Sequence, residues 1–360
     1  MPHLSAFCNS LAKEGFDAAI LTSTKSQRYL AGFVYSDGYL LITPQKSYLI
    51  TDFRYEEEAK AKANPAFEVV CPTCTMAIAM AGYLTELGAK RVAVEEGTLT
   101  LSTMERLQRT LSDFTLESGA TRILGALMEF KDEQELDCIC RAQRIADDAF
   151  SHILKFITPD MTEMDVALEL EFFMRRNGSS GIAFETIAVS GSASSLPHGH
   201  PRRRRLERGF LTMDFGACVD GYRSDMTRTV VLGTADADMK RLYHTVLSAQ
   251  RAALDAAAEG ISCFELDRIA REIIEEKEGY AGCFGHSLGH GVGLNVHESP
   301  RLARTAPKDS VLRRGHVVTV EPGIYIAGRY GCRIEDMIAV LHDGSVKNLT
   351  ASPKELIELF

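Results

Sequence analysis

The chain has 360 residues, 45% of them hydrophobic and 25% charged, which is enough apolar material for a sizeable core and enough length for two domains. A formal net charge of −9 argues against nucleic acid as the main partner, because phosphate binding needs a basic surface. No apolar run reaches the roughly 18 residues of a membrane span. The N-terminus lacks the pattern of a signal peptide, and nine scattered cysteines suit reduced thiols in the cytoplasm better than a disulfide framework.

In chain order, Leu4–Glu14 has helical spacing and Ala18–Leu21 is a short apolar strand. Gly38–Thr43 and Ser47–Thr51 read as a hairpin around Pro44-Gln45-Lys46. A charged, Ala-rich helix over Glu56–Ala63, a strand at Val92–Glu95 and a helix at Leu101–Leu111 follow. This alternation predicts an α/β layer domain over residues 1–125. Cys71 and Cys74 have the spacing of a redox or zinc half-motif, but no second such pair accompanies them.

From Phe130 the character changes, and residues 126–360 are expected to form a second domain. Lys131–Phe156 is a long helical pattern. A second helix, Glu163–Arg176, is opened by Thr162 with Asp165 three residues on, a capping-box pattern. Helices at Met239–Glu259 and Cys263–Glu278 alternate with strand-like segments, and no short-period repeat is visible. The run Arg202–Arg205 is either a solvated loop or a guide for acidic peptides.

The segment Phe210–Val231 reads as a strand, an Asp220-Gly221 turn and a returning strand, which sets Asp214 and Asp225 nearly opposite each other on one face. Val317–Val340 repeats the arrangement, with Glu321 and Glu335 centred on Gly328. Like charges facing each other destabilise a sheet, and a carboxylate in a buried strand costs several kcal/mol unless something positive sits beside it. Between the hairpins, His286, His290 and His297 lie in a Gly-rich stretch whose glycines let the backbone approach a ligand. A phosphate-binding loop is a weaker reading, since the spacing and lysine of such loops are missing. Four carboxylates balance two divalent cations, and a neutral His290 adds a nitrogen. Such a donor set suits Mn²⁺, Co²⁺ or Zn²⁺.

The motifs MDFGACVDGYRSDMTRT, HSLGHGVGLNVHE, VEPGIY and RIED, in this order, resemble the pita-bread metallopeptidases, which include prolidase, aminopeptidase P and methionine aminopeptidase. Phe184–Gly191 and Leu196–Gly199 resemble the family's segment before the first ligand strand. Arg28–Phe33 and Thr51–Tyr55 resemble the creatinase-type N-terminal domain of the proline-directed members. The resemblance implies an α/β (α+β) chain with a creatinase-like domain followed by a curved antiparallel sheet covered by helices. It implies that Asp214 binds one metal, that Asp225 and Glu335 bridge both, and that His290 and Glu321 complete the second. A bridging hydroxide is then expected to attack the carbonyl before proline, with Glu321 as general base and then acid. His198 and His297 are expected to contact substrate and stabilise the oxyanion. His286 and Arg333 are expected to orient the ligands. Tyr325 either joins them or simply packs in the core. Arg301 resembles an arginine with which some prolidases hold a dipeptide's C-terminal carboxylate, the other reading being an ordinary surface arginine. The expected substrates are small peptides with proline second, and the expected assembly is a homodimer. An Xaa-Pro dipeptidase is the first reading and an aminopeptidase P the alternative. A metal-free amidinohydrolase or a non-catalytic binding protein of the same fold would have no need of five intact ligands.

Overall fold

Helices in this chain start where a side chain can take up their free N–H groups. The computed structural model describes residues 2–360. Asp52 accepts from Arg54 N and opens helix Phe53–Lys62, which therefore starts before the Glu56 suggested by composition. Thr75 and Thr100 cap Met76–Glu86 and Leu101–Thr110 in the same way. Full capping boxes open Glu133–Phe156, through Asp132 and Glu135, and Glu163–Arg176, through Thr162 and Asp165.

The chain divides into two units, Met1–Met128 and Glu129–Phe360. The first is built on a six-stranded mixed sheet. Its order is Phe67–Val70, Ser47–Thr51, Gly38–Ile42, Ala18–Leu21, Arg91–Val94, Thr115–Ser118. The two outermost strands and the helices Met76–Glu86 and Ala120–Met128 are absent from the sequence reading. The edge strands are short and only partly buried, so they show little apolar alternation. Ile20, Leu41, Ile50 and Val92 pack from the sheet against Met80, Leu84 and Leu107 of the helices.

The second unit contains a four-stranded sheet, ordered Glu358–Leu359, Met226–Leu232, Gly209–Phe215, Ile187–Ser190, and a five-stranded one, ordered Glu298–Leu302, Gly289–Gly291, Val317–Val320, Asp336–Val340, Val346–Asn348. Each has its own helix layer. Helices Glu133–Phe156 and Glu163–Arg176 bury Ala146, Phe150 and Leu170 against Leu211, Met213 and Val230. Helices Ala237–Ala256 and Cys263–Arg271 bury Leu242, Val246 and Leu266 against Val318, Val320 and Ile338. Each pair shares one plan: a long helix, a turn, and a short helix entered from an isolated bridge, Thr162 to Arg205 in one and Ser262 to Val311 in the other. This duplication is structural, and its period is too long for a search for short repeats.

Arg228 ties the two sheets together. Its side chain is 1% exposed. The guanidinium donates to the carbonyls of Thr227 (3.0 Å), Glu335 (2.5 Å) and Ser352 (2.8 Å) and pairs with the buried Asp336 at 2.8 Å. The backbone N–H of Glu335 donates to Thr227 O at 3.1 Å, so the sheets meet where the acids lie.

Candidate metal centre and substrate cavity

Asp214 is the penultimate residue of the strand Gly209–Phe215, and its partner on the returning strand is Thr227 rather than Asp225. Asp225 lies two residues earlier on the returning strand, so the two carboxylates are diagonal on one face and not directly opposed. The returning strand breaks at Ser224-Asp225, between Tyr222–Arg223 and Met226–Leu232. There Ala217 N bonds the Ser224 hydroxyl at 2.9 Å, and a Cβ on Gly216 would run into the Ser224 carbonyl. Glycine at 216 lets the chain close up at this break. The turn Asp220-Gly221 has both φ values positive, 51° and 85°, as a two-residue hairpin demands. In the other hairpin Val320 pairs with Asp336 and Gly323 with Arg333, so Glu321 and Glu335 stand in register across the axis at Gly328.

Asp225, His290 and Glu335 are buried and can each bring one donor atom within 4.8 Å of the others. The Nδ1 of His290 is 3.1 Å from Gly291 O, which can only accept, so Nδ1 carries the proton. Its Nε2 faces Glu321 Oε1 at 3.3 Å and Asp225 Oδ2 at 3.7 Å. One oxygen of Glu335 accepts from Thr227 Oγ1 at 2.6 Å, and one of Asp214 accepts from Arg333 Nη2 at 2.6 Å. Among the described residues, the other oxygens, Asp214 Oδ1 and Glu335 Oε1, are buried with no hydrogen-bond partner. Buried anionic oxygens without partners are costly, and a divalent cation answers that need.

The electrostatics point the same way. Burial, then the charges of its acid neighbours, pushes the carboxyls of Asp225 and Glu335 well above the usual range. Burial also raises Asp214, against the pull of Arg333. Burial acts on Glu321 in the same sense, but the hydrogen bond and charge of His290 outweigh it and hold Glu321 at about 2. Burial lowers His286 and His297.

One cavity of about 320 Å³ is lined by Asp214, Asp225, His290, Glu321 and Glu335, and also by His198, His286, His297, Arg301 and Arg333. Phe184, Ile187, Pro197 and Val296 give it an apolar side. Tyr325 stands behind the wall: its hydroxyl accepts from Arg333 Nη1 at 2.6 Å and lies 3.0 Å from His286 Nε2. It belongs to the polar network and is not merely core filler. Arg301 is the direct cross-strand partner of His290, which turns both to the same face. The run Arg202–Arg205 is largely committed: Arg202 pairs with the buried Glu163 at 2.6 Å, Arg204 with Glu207 at 3.0 Å and Arg205 with Asp160 at 3.0 Å. Cys71 and Cys74 are unbridged thiols.

Two threonines escaped the sequence reading. Thr227 accepts from Arg333 Nε at 2.9 Å and donates to Glu335. Thr319 accepts from His290 N at 3.1 Å and lies 3.3 Å from Glu321 Oε1. A threonine within an apolar strand, two residues from a carboxylate, was the available signal. Arg271 and Asp267 were also missed. They hold the His286 loop by its backbone, Arg271 Nη1 donating to Phe284 O at 2.8 Å and Leu288 N to Asp267 Oδ1 at 3.0 Å.

Helix-backed antiparallel sheets converging on a cleft of buried carboxylates and imidazoles define an enzyme of the metallopeptidase class. Residues 137–342 match Metallopeptidase family M24 and residues 4–124 match the Creatinase/Prolidase N-terminal domain; the chain belongs to family M24. It is 38% identical to an Xaa-Pro dipeptidase of Pyrococcus horikoshii, over 96% of this chain and 95% of the relative. An Xaa-Pro dipeptidase from Bacillus anthracis superposes with a TM-score of 0.93 at 40% identity, covering 100% of this chain and 99% of that one. An X-Pro aminopeptidase from Thermotoga maritima superposes at 0.88 with 36% identity, covering 96% and 98%. The architecture is thus the creatinase domain followed by the pita-bread domain that the motifs implied.

Proposed function

We propose that this protein is a cytoplasmic, dinuclear Xaa-Pro dipeptidase. The observation that carries the proposal is the pair of unpartnered buried oxygens, Asp214 Oδ1 and Glu335 Oε1, on carboxylates that line the same cavity as His290. Asp214 would hold one divalent ion, His290 Nε2 and Glu321 would hold the other, and Asp225 and Glu335 would be shared between them. Two ions so held, Mn²⁺, Co²⁺ or Zn²⁺, would supply Lewis-acid polarisation of the carbonyl and an acidified water for the attack when bound.

The chain's own groups do the rest. Glu321 accepts the proton released by the attacking water and delivers it to the proline nitrogen that leaves. His198 and His297 donate to the oxygen of the carbonyl under attack. Arg301, beside His290 on the wall, pairs with the substrate's C-terminal carboxylate, which is where a dipeptide ends. Phe184, Ile187 and Val296 offer the apolar surface a proline ring needs. Arg301 is exposed, and an open side there favours the second reading, an aminopeptidase P acting on longer chains. The nine unbridged thiols suit a reducing compartment, and the proposed assembly is a homodimer.

The test is cleavage of Ala-Pro, Ala-Pro-Ala and Met-Ala-Ser with each of the three metals. Ala-Pro should be cut best. Preference for Ala-Pro-Ala would move the enzyme to the aminopeptidase reading, and cleavage of Met-Ala-Ser alone would reject both.

A further inference from the structure

His297 sits on a segment, residues 292–297, that is neither helix nor strand, yet the proposed mechanism needs its imidazole held to a fraction of an ångström. A buried ion pair lies directly beside the segment. The side chains of Lys131 and Glu298 are 2% and 7% exposed, and Lys131 Nζ donates to Glu298 Oε2 at 2.9 Å. The other carboxylate oxygen, Glu298 Oε1, accepts from Asn295 N at 2.9 Å and from Asn295 Nδ2 at 3.2 Å. The lysine is itself fixed: its N–H donates to Gly315 O at 2.8 Å and its ammonium to Glu129 O at 3.1 Å. A Cβ on Gly293 would strike both the Glu298 carboxylate and the Lys131 side chain, so the loop backbone lies directly against the pair. Arg223 closes the far side, donating from N to Gly293 O at 2.9 Å and from Nε to Leu294 O at 3.1 Å. Glu298 therefore closes the turn from Asn295 to itself through Asn295 alone, and it also begins the strand Glu298–Leu302 that carries Arg301.

A buried pair is a poor source of stability, since desolvation offsets its attraction, but it is geometrically demanding. We propose that Lys131 and Glu298 are positioning residues that act through His297, setting its imidazole against the substrate carbonyl. This rests on the peptidase reading, in which His297 contacts substrate, and it deepens that reading.

The test is a double-mutant cycle on the metal-loaded enzyme with Ala-Pro, combining Lys131→Met with His297→Ala. Lys131→Met alone should lower kcat by about tenfold or more with KM changed by less than about threefold. In the His297→Ala background the same substitution should cost less than about twofold. A full-sized loss in both backgrounds, or none in either, overturns the proposal. If Lys131→Met does not fold, Glu298→Asp replaces it in the cycle, keeping the charge but shortening the arm.

Amide hydrogen exchange of the metal-free protein supplies a readout independent of turnover. The N–H groups of Gly293 and Asn295 should exchange faster in Lys131→Met while those of helix Glu133–Phe156 stay protected. Unchanged loop exchange overturns the clamp. Faster loop exchange in a wild-type background that cuts none of the peptides keeps the clamp and rejects the peptidase reading.

Discussion

Arg333 is the residue on which the candidate centre's polar network converges. The residue is 3% exposed, and its guanidinium touches Asp214, Thr227, Tyr325 and the Pro197 carbonyl. A lysine is a point charge and cannot fill four directions from one plane. Arg333→Lys should therefore lower kcat/KM by at least tenfold and shift the denaturant midpoint down, both read on the same preparation. Thr227→Val keeps the shape but removes the hydroxyl between Arg333 and Glu335. Metal affinity should fall about 10–100-fold, the usual effect of losing a hydrogen bond to a ligand, as read by metal titration. Unchanged affinity would mean that Glu335 is oriented by its backbone alone. Tyr325, pushed up to about 12 by burial, stays neutral throughout the working range, so its hydroxyl remains a hydrogen-bonding group and not a charge.

At the scale of elements, the site depends on a strand that breaks on purpose. Gly216→Ala places a methyl into the Ser224 carbonyl, backbone against backbone, with no flexible side chain to yield. The expected result is a loss of about 1–3 kcal/mol in urea unfolding together with weakened metal binding, because Asp225 follows the displaced residue. Thr162→Ala removes one half of the capping box of helix Glu163–Arg176 and should cost about 1 kcal/mol without altering kcat, since Thr162 lies outside the cavity. A loss of activity there would show that the helix start helps to place the Arg202 loop, which Glu163 anchors through Ser190 and Arg202.

For the whole molecule, the buried acids make stability depend on metal and on pH. An ion bound only by the folded chain at about a hundred times its Kd adds about 2.7 kcal/mol, so the melting temperature should climb with added Mn²⁺ and drop with chelator. In the metal-free protein Asp225 and Glu335 have folded-state pKa values above their unfolded ones. Their contribution is fully present below the unfolded pKa of about 4 and is lost as pH rises through the folded values. Glu321, held at about 2, acts in the opposite sense, contributing above its unfolded value and losing that contribution as pH falls toward 2. Three raised carboxyls, Asp214 among them, against one lowered one predict that the chelated protein melts at lower temperature as pH climbs above about 4. Bound metal should remove most of that slope, and thermal melts at several pH values with and without chelator check it.

The sequence by itself determined the class of residue at the site and the elements that carry it. Alternating apolar strands, an Asp-Gly turn and a Gly-rich turn were enough to pair acids across hairpins, because strand period and turn chemistry are local. Glu321 and Glu335 meet as the spacing says. Asp214 and Asp225 do not, because their midpoint falls one residue short of the Asp220-Gly221 centre, and one residue in the midpoint is two in register. Tertiary structure alone decided how the two hairpins converge, through Arg228 and the bond from Glu335 N to Thr227 O. It also decided that Tyr325, Thr227 and Thr319 serve the acids, and that Lys131 reaches Glu298 across the fold. Contacts between residues far apart in the chain leave no periodic trace in sequence; they exist only once the cost of burying each polar group forces it to find a partner.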